Sequence, residues 1–155
     1  MQLSPHFSLS EFIGSQTAAR KGIDNTPGRA EIANLTQLCT NVLEPVRVAW
    51  GRPMTISSGY RSPRLNVAIG GSKTSQHCNG MAADIEIPGV DNAVLAKWIR
   101  DNLKYDQLIL EFYDARQGAS SGWVHVSWNP AGNRKTDLTA RSVNGRTVYS
   151  SGLIA

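Results

Sequence analysis

Residues 27–49 place the strongest constraint on how this chain can fold. Ile32, Leu35, Leu38, Cys39, Val42, Leu43, Val46 and Ala49 recur at helical spacing and gather into one apolar stripe. A stripe that long must be covered, so this is the main core helix and the remaining elements must offer it an apolar face. Thr26-Pro27 reads as its start, a cap followed by proline at the first helical position. Pro45 lies inside the stripe, where it lacks a donor and crowds the preceding turn, so a kink or break is expected there.

The covering elements are legible downstream. Met54 to Ser58 is rich in β-formers and reads as a strand, and Gly59-Tyr60-Arg61-Ser62-Pro63 reads as a turn. A brief helix is expected from Ser62 to Ile69, ending at Gly70-Gly71. Met81 to Ile87 alternates as a strand and stops at Pro88-Gly89. Asp91 then caps a helix with Val94, Leu95, Trp98, Ile99 and Leu103 on one face. Gln107 to Phe112 and Trp123 to Trp128 are short apolar strands, and Val143-Asn-Gly-Arg146 is a type I′ hairpin signal. Upstream, Ser8-Leu-Ser-Glu11 has the capping-box pattern and predicts a short helix ending near Gly22. The expectation is an α+β fold, a single domain over residues 1–155 with a small antiparallel sheet and helices packed on it.

Composition narrows the class of partner. At 155 residues, with 41% hydrophobic and 18% charged, the chain matches one ordinary globular domain. A net charge of +4 and a pI near 9.3 favour acidic partners. The basic residues are scattered rather than clustered, so no nucleic-acid partner is expected. Cys39 and Cys78 form no CxxC pair and read as free thiols. No stretch is apolar enough to span a bilayer, and MQLSPHFSLSEF does not have the form of an export signal.

The segment SKTSQHCNGMAADIEI, residues 72–87, sets His77 and Asp84 around an Asn-Gly turn that leads into a strand. A neutral imidazole and a carboxylate suit zinc, and a catalytic zinc takes three protein ligands and keeps one position open. His6 lies in an amino terminus expected to be mobile, which leaves His125 as the third candidate among three histidines. On spacing alone, a local His77–Asp84 hydrogen bond with His125 as an ordinary strand residue remains the simpler alternative.

The surrounding residues favour the metal. Ser75-x-His77-x-x-Gly80-x-Ala82-x-Asp84, followed by Trp123-Val-His125, resembles the signature of the zinc peptidases that include D-alanyl-D-alanine carboxypeptidases and phage peptidoglycan endopeptidases. Ser57-Ser-Gly-Tyr-Arg-Ser62 resembles that family's substrate-binding arginine loop, and the helical segment from Asp24 to Gly51 is similar to its compact phage members. The resemblance implies a zinc ion on His77, Asp84 and His125, and a fold like that of the hedgehog signalling domain.

Many relatives carry an acidic residue three positions before the last histidine, where this chain has Gly122. The general base must then come from elsewhere. Glu111, in the strand Leu108-Ile-Leu-Glu-Phe112, is the first candidate, similar to the upstream glutamate of the hedgehog domain, and Asp114 is the reserve. A hairpin turning near Gly118 would set Glu111 opposite His125. By the same resemblance Arg61 binds a substrate carboxylate or the oxyanion, and Ser75 binds the substrate backbone. Trp123 and Trp128 are expected in the core.

What the resemblance implies is hydrolysis of stem peptides in bacterial peptidoglycan by a monomer. The expected setting is a phage or prophage endolysin, made in the host cytoplasm and released to the wall through a separate pore. A D,D-carboxypeptidase of wall metabolism and a zinc-stabilised binding or phage structural module are the alternatives.

Overall fold

The computed structural model describes all residues, Met1–Ala155. Its centre is a mixed sheet of six strands in the order β3-β4-β6-β5-β7-β8. These are Thr55–Ser58 (β3), Ala82–Glu86 (β4), Gln107–Glu111 (β5), Trp123–Ser127 (β6), Thr136–Val143 (β7) and Arg146–Ser151 (β8). Alternation along the strands divides the sheet into two faces. Ala83, Ile85, Leu108, Leu110, Val124 and Val126 are buried in one hydrophobic core with the helices. The alternate positions, Asp84, Ile109, Glu111, Trp123 and His125, line a groove on the opposite face.

The core helix is built as three pieces. Arg29–Leu38 (α3) passes into a π turn, Cys39–Leu43, and then into Glu44–Trp50 (α4). The anticipated disruption at Pro45 takes this form, with the amide of Glu44 reaching back to the Cys39 carbonyl just ahead of the proline. Leu35, Leu38, Cys39, Val42, Leu43 and Val46 are all buried, so the extra residue in the turn keeps the stripe facing the sheet across the break. Burial pushes the Cys39 thiol up to about 12, and both cysteines are free. The helix starts at Arg29 behind Gly28, two residues later than Thr26-Pro27 suggests.

Other boundaries match closely. Ser62 accepts from the Leu65 amide at the start of Pro63–Ala68 (α5), and Asp91 accepts from the amides of Ala93 and Val94 at the start of Asn92–Asn102 (α6). Asn144 and Gly145 both have positive φ, as a type I′ turn requires.

Three expectations need correction. The amino terminus is tied down: Gln2–Ser4 (β1) pairs with Phe7–Ser8 (β2), and the His6 amide and Nδ1 reach Glu44 at 2.7 and 2.8 Å. The helix that follows splits into Ser10–Ile13 (α1) and Gln16–Lys21 (α2); only the Glu11 half of the capping box forms, accepting from the Ser8 amide at 2.7 Å. The sheet is not wholly antiparallel, because β5 and β7 run parallel. β6 is already flanked by β4 and β5, so β7 cannot pair with it; β7 joins the outer edge of β5, and reversing direction from β6 makes it parallel to β5.

Asp106 secures that crossover. Its buried carboxylate accepts from the Arg134 amide, from Arg134 Nε and Nη2, and from Gln76 Nε2, all between 2.8 and 3.0 Å. The bonds from Arg134 hold the Asp106 carboxyl at about 2, against 3.8 for a free aspartate. A depressed folded-state pKa gives stability that is present above the unfolded value and is lost as pH falls toward the folded one. Asp106→Asn should cost about 1–3 kcal/mol near neutrality. In thermal melts the gap between parent and variant should narrow as pH falls from about 4 toward 2. A gap independent of pH would contradict this assignment.

Candidate metal centre

His77 sits on a 3-10 turn, Gln76–Asn79, whose first amides are capped by Ser75. Two backbone contacts fix it. Its Nδ1 donates to the Gly59 carbonyl at 2.7 Å, and its own carbonyl accepts from the Arg61 amide at 3.1 Å. Gly59 is required there by close approach, since a Cβ would run into the backbone of Phe12 at 2.7 Å. A carbonyl only accepts, so the His77 proton is on Nδ1 and, in the neutral ring, Nε2 offers a lone pair.

Asp84 and His125 are cross-strand partners in β4 and β6, which points both side chains to the groove face. His77 Nε2 lies 3.3 Å from His125 Nδ1 and 3.4 Å from Asp84 Oδ1, and His125 Nδ1 lies 3.2 Å from that same oxygen. All three residues are buried. Burial alone would raise the Asp84 carboxyl, but its close contacts with the His125 and His77 rings outweigh it and hold the group well below the carboxylate range.

The donor set fits a cation. With the His77 proton facing away, at most one hydrogen is available for three mutually close atoms, so lone pairs converge. A tetrahedral ion with bonds of about 2.0–2.1 Å separates its ligands by about 3.3–3.4 Å, which the observed triangle matches. Cys78, although next to His77, contributes no atom to this group.

Glu111 occupies the same sheet face one row along. The sequence-based register needs correction: Ile109, not Glu111, is opposite His125, and Glu111 pairs with Trp123. The cause is the turn. The β5–β6 connection is no tight hairpin, for it holds a 3-10 turn, Ala115–Gln117, and Phe112 and Gly122 both take positive φ where the strands part. Burial raises the Glu111 carboxyl above its ordinary value and the charge of Asp84 adds to this, against smaller opposing effects of the His125 and Arg61 charges. Asp114 is elsewhere, in an ion pair with Arg116 at 2.9 Å.

Arg61 reaches the groove, with Nη2 donating to Ser75 Oγ at 3.2 Å and Nε buried without a partner. Trp123 also lines the groove, contrary to the core position expected for it, with its indole N–H buried and unpartnered; Trp128 packs against the core. The groove has a volume of about 720 Å³, within the usual range for ligand-binding clefts.

Gly122 explains the departure noted in the sequence. A side chain there would collide with the Glu111 carbonyl and with the backbone of Phe112 and Tyr113, so this chain has no room for an acidic residue at that position. Gly122→Ala should destabilise by roughly 2–4 kcal/mol, read as a fall in denaturation midpoint, because it adds both the clash and a left-handed φ. A neutral substitution would show that the Glu111–Gly122 contact is not tight.

A search of curated proteins returned no match. The family described as Peptidase M15 does match, over residues 5–127, a span that includes the His77–Asp84–His125 cluster, Glu111, Arg61 and Ser75 and stops short of β7 and β8. The chain belongs to the peptidase M15 family of metallopeptidases.

Proposed function

We propose that this protein is a zinc-dependent peptidase that hydrolyses peptide bonds in the stem peptides of bacterial peptidoglycan, with His77, Asp84 and His125 as metal ligands. The observation that carries this reading is the triangle of three ligand atoms, 3.2–3.4 Å apart, in a groove of about 720 Å³. A bound zinc supplies Lewis acidity, activating water and polarising the scissile carbonyl.

The chain's own residues do the rest. Glu111, on the same face and raised above its ordinary value by burial, takes a proton from the attacking water and passes it to the leaving amine. Arg61, with one N–H unpartnered in the groove, donates to the carbonyl oxygen as it becomes negative or to a substrate carboxylate. Ser75, already bonded to Arg61, orients that guanidinium and offers its hydroxyl to the substrate backbone. The net positive charge suits an anionic wall.

Glu111→Gln should bind zinc as the parent does, yet lose roughly 10²- to 10⁴-fold in turnover on peptidoglycan together with the acidic limb of the pH profile. Asp114→Asn is the control and should cost little, while His77→Ala and His125→Ala should lose the metal. Full activity of Glu111→Gln, or full zinc in both histidine variants, would overturn the reading.

The setting we propose is that of a phage endolysin reaching the wall through a separately encoded pore. Expression alone should leave cells intact, and permeabilising the inner membrane should then bring lysis. Lysis without permeabilisation would count against this route.

A further inference from the structure

The groove extends past the segment that carries the family's match. Its wall on the β8 side is built by β7 and β8, beyond residue 127, and Leu138 and Tyr149 from these strands line it. Register places them exactly on the site's face. Ile109 pairs with both His125 and Leu138, while Glu111 pairs with Ala140 and Ala140 with Tyr149. Trp123, Glu111, Ala140 and Tyr149 therefore form one row across four strands.

Ala140 is fully buried between Glu111 and Tyr149, so on the β8 side of this row it is Tyr149 that reaches the groove. Tyr149 is 54% exposed, on a strand exposed along its whole length, so its ring is not part of the core. An amphipathic ring with a free hydroxyl, at the rim of a polar groove, suits a peptide that offers both apolar surface and acceptor oxygens.

We propose that Tyr149 is a substrate-binding residue that contacts the peptide about three residues away from the bond being cleaved, making the C-terminal hairpin the element that selects for longer stem peptides. The distance follows from strand spacing. Two steps of about 4.8 Å set the Tyr149 backbone about 10 Å from that of Glu111, and an extended peptide rises about 3.3 Å per residue. The phenol donates to a backbone carbonyl or carboxylate of the peptide and the ring lies against its side chains. Burial, and after it the charge of Glu111, raises the Tyr149 hydroxyl above its ordinary value, which keeps it a donor. The inference rests on the peptidase reading of the groove.

Binding isolates this contact from the chemistry. Calorimetry would compare synthetic stem peptides of two and five residues on the zinc-loaded Glu111→Gln chain, alone and combined with Tyr149→Ala or Tyr149→Phe. Tyr149→Ala should raise the Kd of the five-residue peptide roughly fivefold to thirtyfold, and Tyr149→Phe by a smaller factor, with the melting temperature unchanged. The two-residue peptide should bind all three proteins alike. An unchanged Kd for the longer peptide, an equal loss for both lengths, or no binding of the longer peptide by Glu111→Gln itself would each overturn the proposal. Failure of the peptidase reading shows separately, as absence of hydrolysis by the zinc-loaded parent.

Discussion

A carboxylate in the middle of a sheet, almost closed off from water, is the interaction on which the rest of this molecule depends. Asp84 is only 9% exposed, on a strand paired on both sides. Burying an ionised carboxylate without compensation is prohibitive, so the fold must bring it partners. It brings two imidazoles, one from the neighbouring strand and one from a turn pinned by the Gly59 and Arg61 backbone. Pinning the His77 proton on the far side of its ring leaves too few hydrogens for three close polar atoms. A divalent cation is the natural resolution, and its attraction for all three would bind the turn to the sheet.

Everything else keeps that arrangement in place and gives it a substrate side. Core packing on one face of β4, β5 and β6 frees the other face for Asp84, His125 and Glu111, so the same alternation that stabilises the fold aligns the site. Asp106 couples the turn next to His77, through Gln76, to the segment that starts β7. Gly122, just before β6, lets the chain pass close against the backbone of Glu111, Phe112 and Tyr113.

Much of this is legible in the sequence where local chemistry and periodicity agree. The alternation around Asp84 and His125, the caps at Ser62 and Asp91, and the Asn144-Gly145 turn each carry a local signal that the structure honours. What escaped is non-local. The role of Asp106 depends on Arg134 and Gln76, each far away in sequence, and no spacing rule points to it. The parallel β5–β7 pairing depends on the chain crossing from β6 past β5 to join its outer edge, and the one-row offset of Glu111 follows from a turn whose positive φ at Phe112 no apolar strand pattern reveals. His6 looks like a residue of a loose terminus until Glu44 is seen to hold it. The resemblance named the candidate residues; the structure supplied their geometry.

X-ray absorption at the zinc edge on the metal-loaded chain tests the proposed centre most directly. The account predicts one zinc per chain, with two imidazole rings and an oxygen shell at about 2.0–2.1 Å and no sulfur. A sulfur scatterer at about 2.3 Å, which would bring in Cys78, a single imidazole, or no stoichiometric zinc would contradict it.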